Sequence, residues 1–158
     1  MIDIKKSIKA ATFDKMWINR VRLELPDPVF NDPVFPQSKG RFNASLLPYN
    51  GTDLLATGGE KVNIADLNAK RASDTTFDSI VTAFTAEVDR QSTKTGLKSI
   101  TINANDPAKP VRLMAEYTDS QSFTIADCFA LSKTDSTFGT AFESAMEEIA
   151  RQAGLTVS

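Results

Sequence analysis

The chain of 158 residues predicts an α+β fold: an antiparallel sheet of about five strands packed by two or three helices, in one domain over residues 1–158. Three observations carry this. Period-two alternation recurs in short runs, as in residues 20–25 and 111–117. Two longer stretches, about 76–90 and 137–153, carry apolar side chains at helical spacing. The connections between the C-terminal runs are short, which favours antiparallel pairing over the long crossovers of parallel strands.

Taken in order, residues 3–17 suit a helix with Ile4, Ile8 and Ala11 on one face, although Ile2-Asp3-Ile4 also suits a strand. In residues 20–25, Val21, Leu23 and Leu25 point one way and Arg20, Arg22 and Glu24 the other. After Gly40, Phe42, Ala44 and Leu46 repeat the pattern. Residues 48–59 are loop-like, punctuated by Asn50-Gly51 and Gly58-Gly59. Residues 61–67 suit a short strand or a helical turn. In the helix at 76–90, Phe77, Ile80, Val81, Phe84 and Val88 form the apolar stripe, with Thr75 and Asp78 at capping-box spacing. Ile100, Ile102 and Ala104 then alternate, residues 105–110 turn the chain, and Val111, Leu113, Ala115 and Tyr117 alternate again. Residues 118–121 make a hairpin-like link to a strand over 123–131. The last helix turns Phe138, Phe142, Met146, Ile149 and Ala153 inward, sets Glu147 four residues before Arg151, and ends at Gly154.

Composition narrows the chemistry. Apolar residues make up 41%, charged residues 24%, and the net charge is −2, so no global basic field attracts nucleic acid. The first 22 residues are locally basic, with Lys5, Lys6, Lys9, Lys15, Arg20 and Arg22 against Asp3 and Asp14, as in a solvated helix face or a patch for an acidic partner. No apolar run reaches a membrane span, and no secretory signal opens the chain. The triplets Asn43-Ala-Ser45 and Asn50-Gly-Thr52 are then chance matches to the glycosylation acceptor. Histidine is absent, which removes the commonest general base and the commonest metal ligand. A single cysteine, Cys128, excludes an internal disulfide and a Cys-x-x-Cys site.

The remaining constellations have ordinary readings. Gly58-Gly59-Glu60-Lys61 lacks phosphate-loop spacing. Glu143, Glu147 and Glu148 lie off the Phe142/Met146 stripe and suit a solvated face. Asp127-Cys128 next to Phe129-Ala130-Leu131 suits a structural, semi-buried thiol. Asp14, Asp27 and Asp32 form no metal-ligand pattern. Catalytic, cofactor-binding and metal residues are therefore all expected to be absent.

One segment is unusual. Asp27-Pro28-Val29-Phe30 is followed after Asn31 by Asp32-Pro33-Val34-Phe35, flanked by Pro26 and Pro36. Proline fixes its own φ and pushes the preceding residue toward extended geometry. Residues 26–36 therefore predict a stiff, extended arm bearing two phenylalanines. Pro26, Pro28, Phe30, Pro33, Phe35 and Pro36 are the candidates for subunit contact. Either Phe30 and Phe35 close the chain's own core, or at least one enters a neighbour's groove, where preorganisation lowers the entropy lost on docking.

Leu25-Pro26-Asp27, Phe35 and the run Gly40-Arg41-Phe42-Asn43-Ala44-Ser45-Leu46-Leu47-Pro48 resemble phage single-stranded-DNA-binding proteins of the OB-fold type over about a quarter of the chain. The resemblance implies base stacking on Phe30, Phe35, Phe42 or Tyr49. Those proteins carry an acidic tail where this sequence has an amphipathic helix.

The sequence thus points to a non-enzymatic structural or assembly subunit of a virus or phage particle, using the arm for subunit contacts. Its partners would be copies of itself or other particle proteins, in the virion or the host cytoplasm, with no membrane. Nucleic-acid binding of the OB type is the alternative.

Overall fold

The structure, a computed structural model, describes residues 3–5, 15–26, 39–50, 53–54, 61–104, 110–154 and 156–157. In chain order the elements are β1 (Asp3–Lys5), β2 (Lys15–Glu24), β3 (Arg41–Asn50), β4 (Asp53–Leu54), β5 (Lys61–Ile64), α1 (Leu67–Ser73), α2 (Thr75–Ser92), β6 (Leu97–Asn103), β7 (Arg112–Tyr117), β8 (Ser122–Ile125), α3 (Cys128–Thr134), α4 (Ser136–Gln152) and β9 (Thr156–Val157). Every strand pairing among them is antiparallel. The expected α+β class is therefore observed. Across the sheet, β5 pairs with β3, and the order continues β3-β2-β6-β7-β8. β4 also pairs with β3, β1 with β2, and β9 with β1.

This order is that of a tandem duplication. β2-β3-β5-α1-α2 and β6-β7-β8-α3-α4 follow the same path, and the halves meet where β2 pairs with β6. The hydrogen bonds repeat as an approximate twofold requires. Leu25 N–H donates to the Lys98 carbonyl at 3.0 Å, and Ala104 N–H donates to Asn19 at 2.8 Å. Leu67 N–H donates to Gly40 at 3.2 Å, and Cys128 N–H donates to Val111 at 2.8 Å. The register slips once in each half, at Asn19 between Ile18 and Arg20 and at Lys98 between Leu97 and Ser99. These β-bulges place the two residues whose carbonyls accept the cross-dyad bonds.

The core forms between one face of the sheet and the helices. Val21, Leu23, Phe42, Ala44, Ile100, Ile102, Leu113 and Ala115 alternate inward and are buried. Phe77, Val81, Phe84 and Val88 of α2 cover them together with Phe138, Phe142, Met146 and Ile149 of α4. Phe42 meets Phe77 edge-on with ring centroids 5.6 Å apart, and Phe138 stacks on Phe142 at 5.6 Å.

Several expectations are corrected. Residues 3–5 and 15–17 are strand, not helix, which leaves Arg20 and Arg22 on a sheet rather than a helix face. β3 continues to Asn50, through residues expected to be loop. The strand expected over 123–131 ends at Ile125, because the Asp127 side chain accepts from Ala130 N–H at 3.0 Å and starts α3. Asp66 starts the unanticipated α1 in the same way, through Ala69 N–H at 2.9 Å. Asp74, not Thr75, caps α2. The 118–121 link is a hairpin: Tyr117 N–H donates to Gln121 O, and Ser120 has φ 67°.

Gly40, where the arm rejoins the sheet, has φ +72°, and a Cβ there would lie 2.7 Å from the Glu24 carbonyl oxygen. Only glycine fits this left-handed, crowded position.

Phe138 is fully buried at the centre of the helix layer. Phe138→Ala should lower unfolding free energy by about 3–5 kcal/mol in a urea titration. A loss below about 1 kcal/mol would contradict this packing.

Candidate functional site

The strongest polar constellation joins the two halves. Glu87, Arg90 and Gln91 sit in the last turns of α2, and Glu148, Arg151 and Gln152 in those of α4. Arg90 Nε donates to Glu87 at 2.9 Å, and its Nη2 reaches across to Asp135 at 2.9 and 3.0 Å. Arg151 repeats this, with Nε to Glu148 at 2.8 Å and Nη2 to Asp74 at 2.9 and 3.0 Å. Gln91 and Gln152 each donate to the same glutamate and the same cross-dyad aspartate. Asp135 and Asp74 are the N-caps of α4 and α2, each accepting at 3.1 Å from Phe138 or Phe77 N–H. Each helix thus ends against the start of the other, so α2 and α4 run antiparallel.

The electrostatics follow from these bonds. The Phe138 N–H, then Gln91 and Arg90, hold the Asp135 carboxyl down at about 2 against an ordinary 3.8. Asp74 is pushed lower still, first by Phe77 N–H and then by Arg151. The Arg90 hydrogen bond lowers Glu87 against the opposing effect of burial. Glu87 and Glu148 are 5% and 4% exposed, and the guanidiniums of Arg90 and Arg151 pair these buried carboxylates. The expectation of a solvated Glu143/Glu147/Glu148 face fails at Glu148, and Arg151 binds Glu148 and Asp74. This constellation ties helices together, and its carboxylates are saturated.

Cys128 begins α3 fully buried, and burial pushes its thiol up to about 12. It is a packing residue rather than a nucleophile. Among the described residues, no three or more His, Cys, Asp or Glu side chains could hold a metal ion, and no helix is long and apolar enough to cross a membrane.

The other face of the sheet is covered by no described element. Register orders its side chains into rows across the strands. One row runs Ser45, Arg20, Asn103, Arg112. The next runs Asn63, Asn43, Arg22, Thr101, Met114, Thr124. The third runs Arg41, Glu24, Ser99, Glu116, Ser122. Arg22 donates to Glu24 and Thr101, both at 2.8 Å, and Arg41 lies 3.6 Å from Glu24. Shallow depressions of about 280 and 480 Å³ open on this face around Arg41, one toward Glu24 and Lys98 and the other toward Asn43 and Asn63.

Of the subunit-contact candidates, Pro26 follows β2 and is half-buried beside Gly40. Pro28, Phe30, Pro33, Phe35 and Pro36 lie outside the described residues, as do Gly58 to Glu60, Asp14, Asp27, Asp32 and the side chain of Tyr49. Phe42, implied as a stacking residue by the OB-type resemblance, is core. The described strands form an open path, not the five-stranded barrel of that resemblance.

Sequence reasoning missed the clamp, although its signal was present. Ile64-Ala65-Asp66, Asp74-Thr75-Thr76-Phe77, Glu87 and Arg90-Gln91 recur at constant separation as Ile125-Ala126-Asp127, Asp135-Ser136-Thr137-Phe138, Glu148 and Arg151-Gln152. Compared with protein-family models, curated proteins and solved structures, the chain finds no match in any of the three.

Because Asp135 is depressed in the folded chain, its contribution is present above its unfolded value of 3.8 and is lost as pH falls toward about 2. The thermal midpoint should fall over that window. Asp135→Asn, which keeps a capping oxygen but loses the charge, should flatten the decline; parallel curves would show that the clamp carries no linkage. The Cys128 thiol should resist an aromatic disulfide reagent in the native chain and react fully after denaturation, whereas fast native labelling would contradict its burial.

Proposed function

We propose that this chain is a non-enzymatic assembly subunit of a virus or phage particle, joined to its neighbours by the arm at residues 26–36. The observation that supports this best is the form of the body. Helices pack one face, and the other is covered by no described element and is polar at its described positions apart from Met114. Such a body offers surfaces to partners. Cys128 is buried, and Glu87 and Glu148 are held by Arg90 and Arg151.

The arm fits the same reading. Glu24 pairs with Arg41, so the chain leaves and rejoins the sheet at adjacent strand ends. An insertion at a hairpin end leaves the sheet register untouched and is free to vary in length. Burying one phenylalanine on a neighbour stabilises the contact by roughly 1.5–3 kcal/mol. Repeated over a symmetric particle, that modest energy becomes avidity.

Sedimentation of the purified chain over a wide concentration range should show self-association. Phe30→Ala with Phe35→Ala should abolish it and leave the thermal midpoint in place. A wild-type chain that stays monomeric at high concentration would overturn the reading. So would a double variant that fails to fold, since the phenylalanines would then belong to the chain's own core.

A further inference from the structure

The approximate twofold makes a comparison within one molecule. It leaves the middle row of the open face on itself and exchanges the two outer rows. Arg20 takes the place of Ser99, Ser45 that of Glu116, Asn103 that of Glu24 and Arg112 that of Arg41. The backbone environments are therefore equivalent, and the fold demands no difference in charge between the rows. The sequence nevertheless makes them differ. The row through Glu24 and Glu116 sets two carboxylates against Arg41, whereas the row through Arg20 and Arg112 holds no acidic residue.

Arg20 and Arg112 are exposed, and among the described residues neither has an acidic partner. In contrast, Arg22, Arg41, Arg71, Arg90 and Arg151 each contact a carboxylate. In a chain of net charge −2, the two guanidiniums without an acidic partner among the described residues lie on one line, with the Asn103 amide between them. Strands are spaced about 4.8 Å apart, so the two cationic positions lie about 10 Å apart across the sheet. Beside this line, Asn43 and Asn63 are exposed and opposite one another.

We propose that this face binds single-stranded nucleic acid, with its phosphates along the Arg20/Arg112 row and the amides of Asn43 and Asn63 at base edges. Guanidinium suits phosphate through its fork of donors. Side-chain amides pair with base edges, which are accessible on a flat surface only where the strand is unpaired. With Phe42 in the core, affinity comes from phosphate and amide contacts rather than from stacking, so binding should be strongly salt-dependent. The proposal does not require self-association.

The test is fluorescence anisotropy of labelled poly(U) and poly(dT) strands of about 20 nucleotides over a series of salt concentrations. Binding of either strand, weakening as salt rises, is the expected result. Arg20→Ala with Arg112→Ala should reduce the slope of log K against log salt by about 1.4, because each single-strand phosphate contact contributes about 0.7. Lys133→Ala, an exposed cation on α3, should leave the slope unchanged. The Phe30→Ala/Phe35→Ala chain should bind as the parent does, which separates this inference from the assembly reading. No binding at low salt, an unchanged slope in the double arginine variant, or equal binding of polyglutamate, as for an acidic protein partner, would overturn it.

Discussion

The structure depends on one interaction made twice: an arginine in the last turn of a helix bridging a buried glutamate of its own helix and the capping aspartate of the other. Arg90 joins Glu87 to Asp135, and Arg151 joins Glu148 to Asp74. The pairing solves three problems together. It gives a guanidinium partner to two carboxylates that are only 5% and 4% exposed. It places a cation near the carbonyl end of one helix and an anion at the amide end of its neighbour, as both helix dipoles favour. It also sets the relative slide of α2 and α4, because a helix shifted by one turn would lose both ends. Isolated surface ion pairs contribute little to stability. These are bidentate, shared between partners and anchored in caps, so their value is in fixing one arrangement.

With the helices fixed, the rest of the layer follows. The stripes of α2 and α4 cover the inward residues of both half-sheets, which are joined through β2 with β6, and β1 pairs with β9. The approximate twofold therefore runs from the helix clamps through the core to the paired bulges at Asn19 and Lys98. The helix face of the sheet is committed to packing, and the described positions of the opposite face carry polar side chains apart from Met114. Symmetry of backbone with asymmetry of charge marks the Arg20/Arg112 row as a feature the fold did not require.

Much of this was legible in the sequence. Alternation at Val21/Leu23, Phe42/Ala44/Leu46 and Leu113/Ala115/Tyr117 located the inward face of each strand, since burial on one side of a pleat imposes period two. The stripes at Phe77/Val81/Phe84 and Phe138/Phe142/Met146 located both long helices. What failed were short elements. Cys128-Phe129-Ala130-Leu131 is as apolar as a strand, and its helical state is decided by the cap at Asp127, one side chain outweighing local propensity. Residues 3–5 went the other way because strand pairing overrides a helical pattern. Glu148 was misjudged because periodicity shows which face a residue occupies, not whether a cation from the next turn makes burial tolerable. The duplication shows in no single residue but as a pattern, with Ile-Ala-Asp, Asp-x-Thr-Phe, Glu and Arg-Gln recurring at one separation.

The central claim is that the two clamps are equivalent and couple the halves of the chain. Double-mutant cycles test it most directly: Arg90→Ala against Asp135→Ala, and Arg151→Ala against Asp74→Ala, each read by denaturant unfolding. The account predicts a clear, stabilising coupling energy in both cycles, of similar size. Additive effects in both, or coupling in one cycle alone, would contradict it.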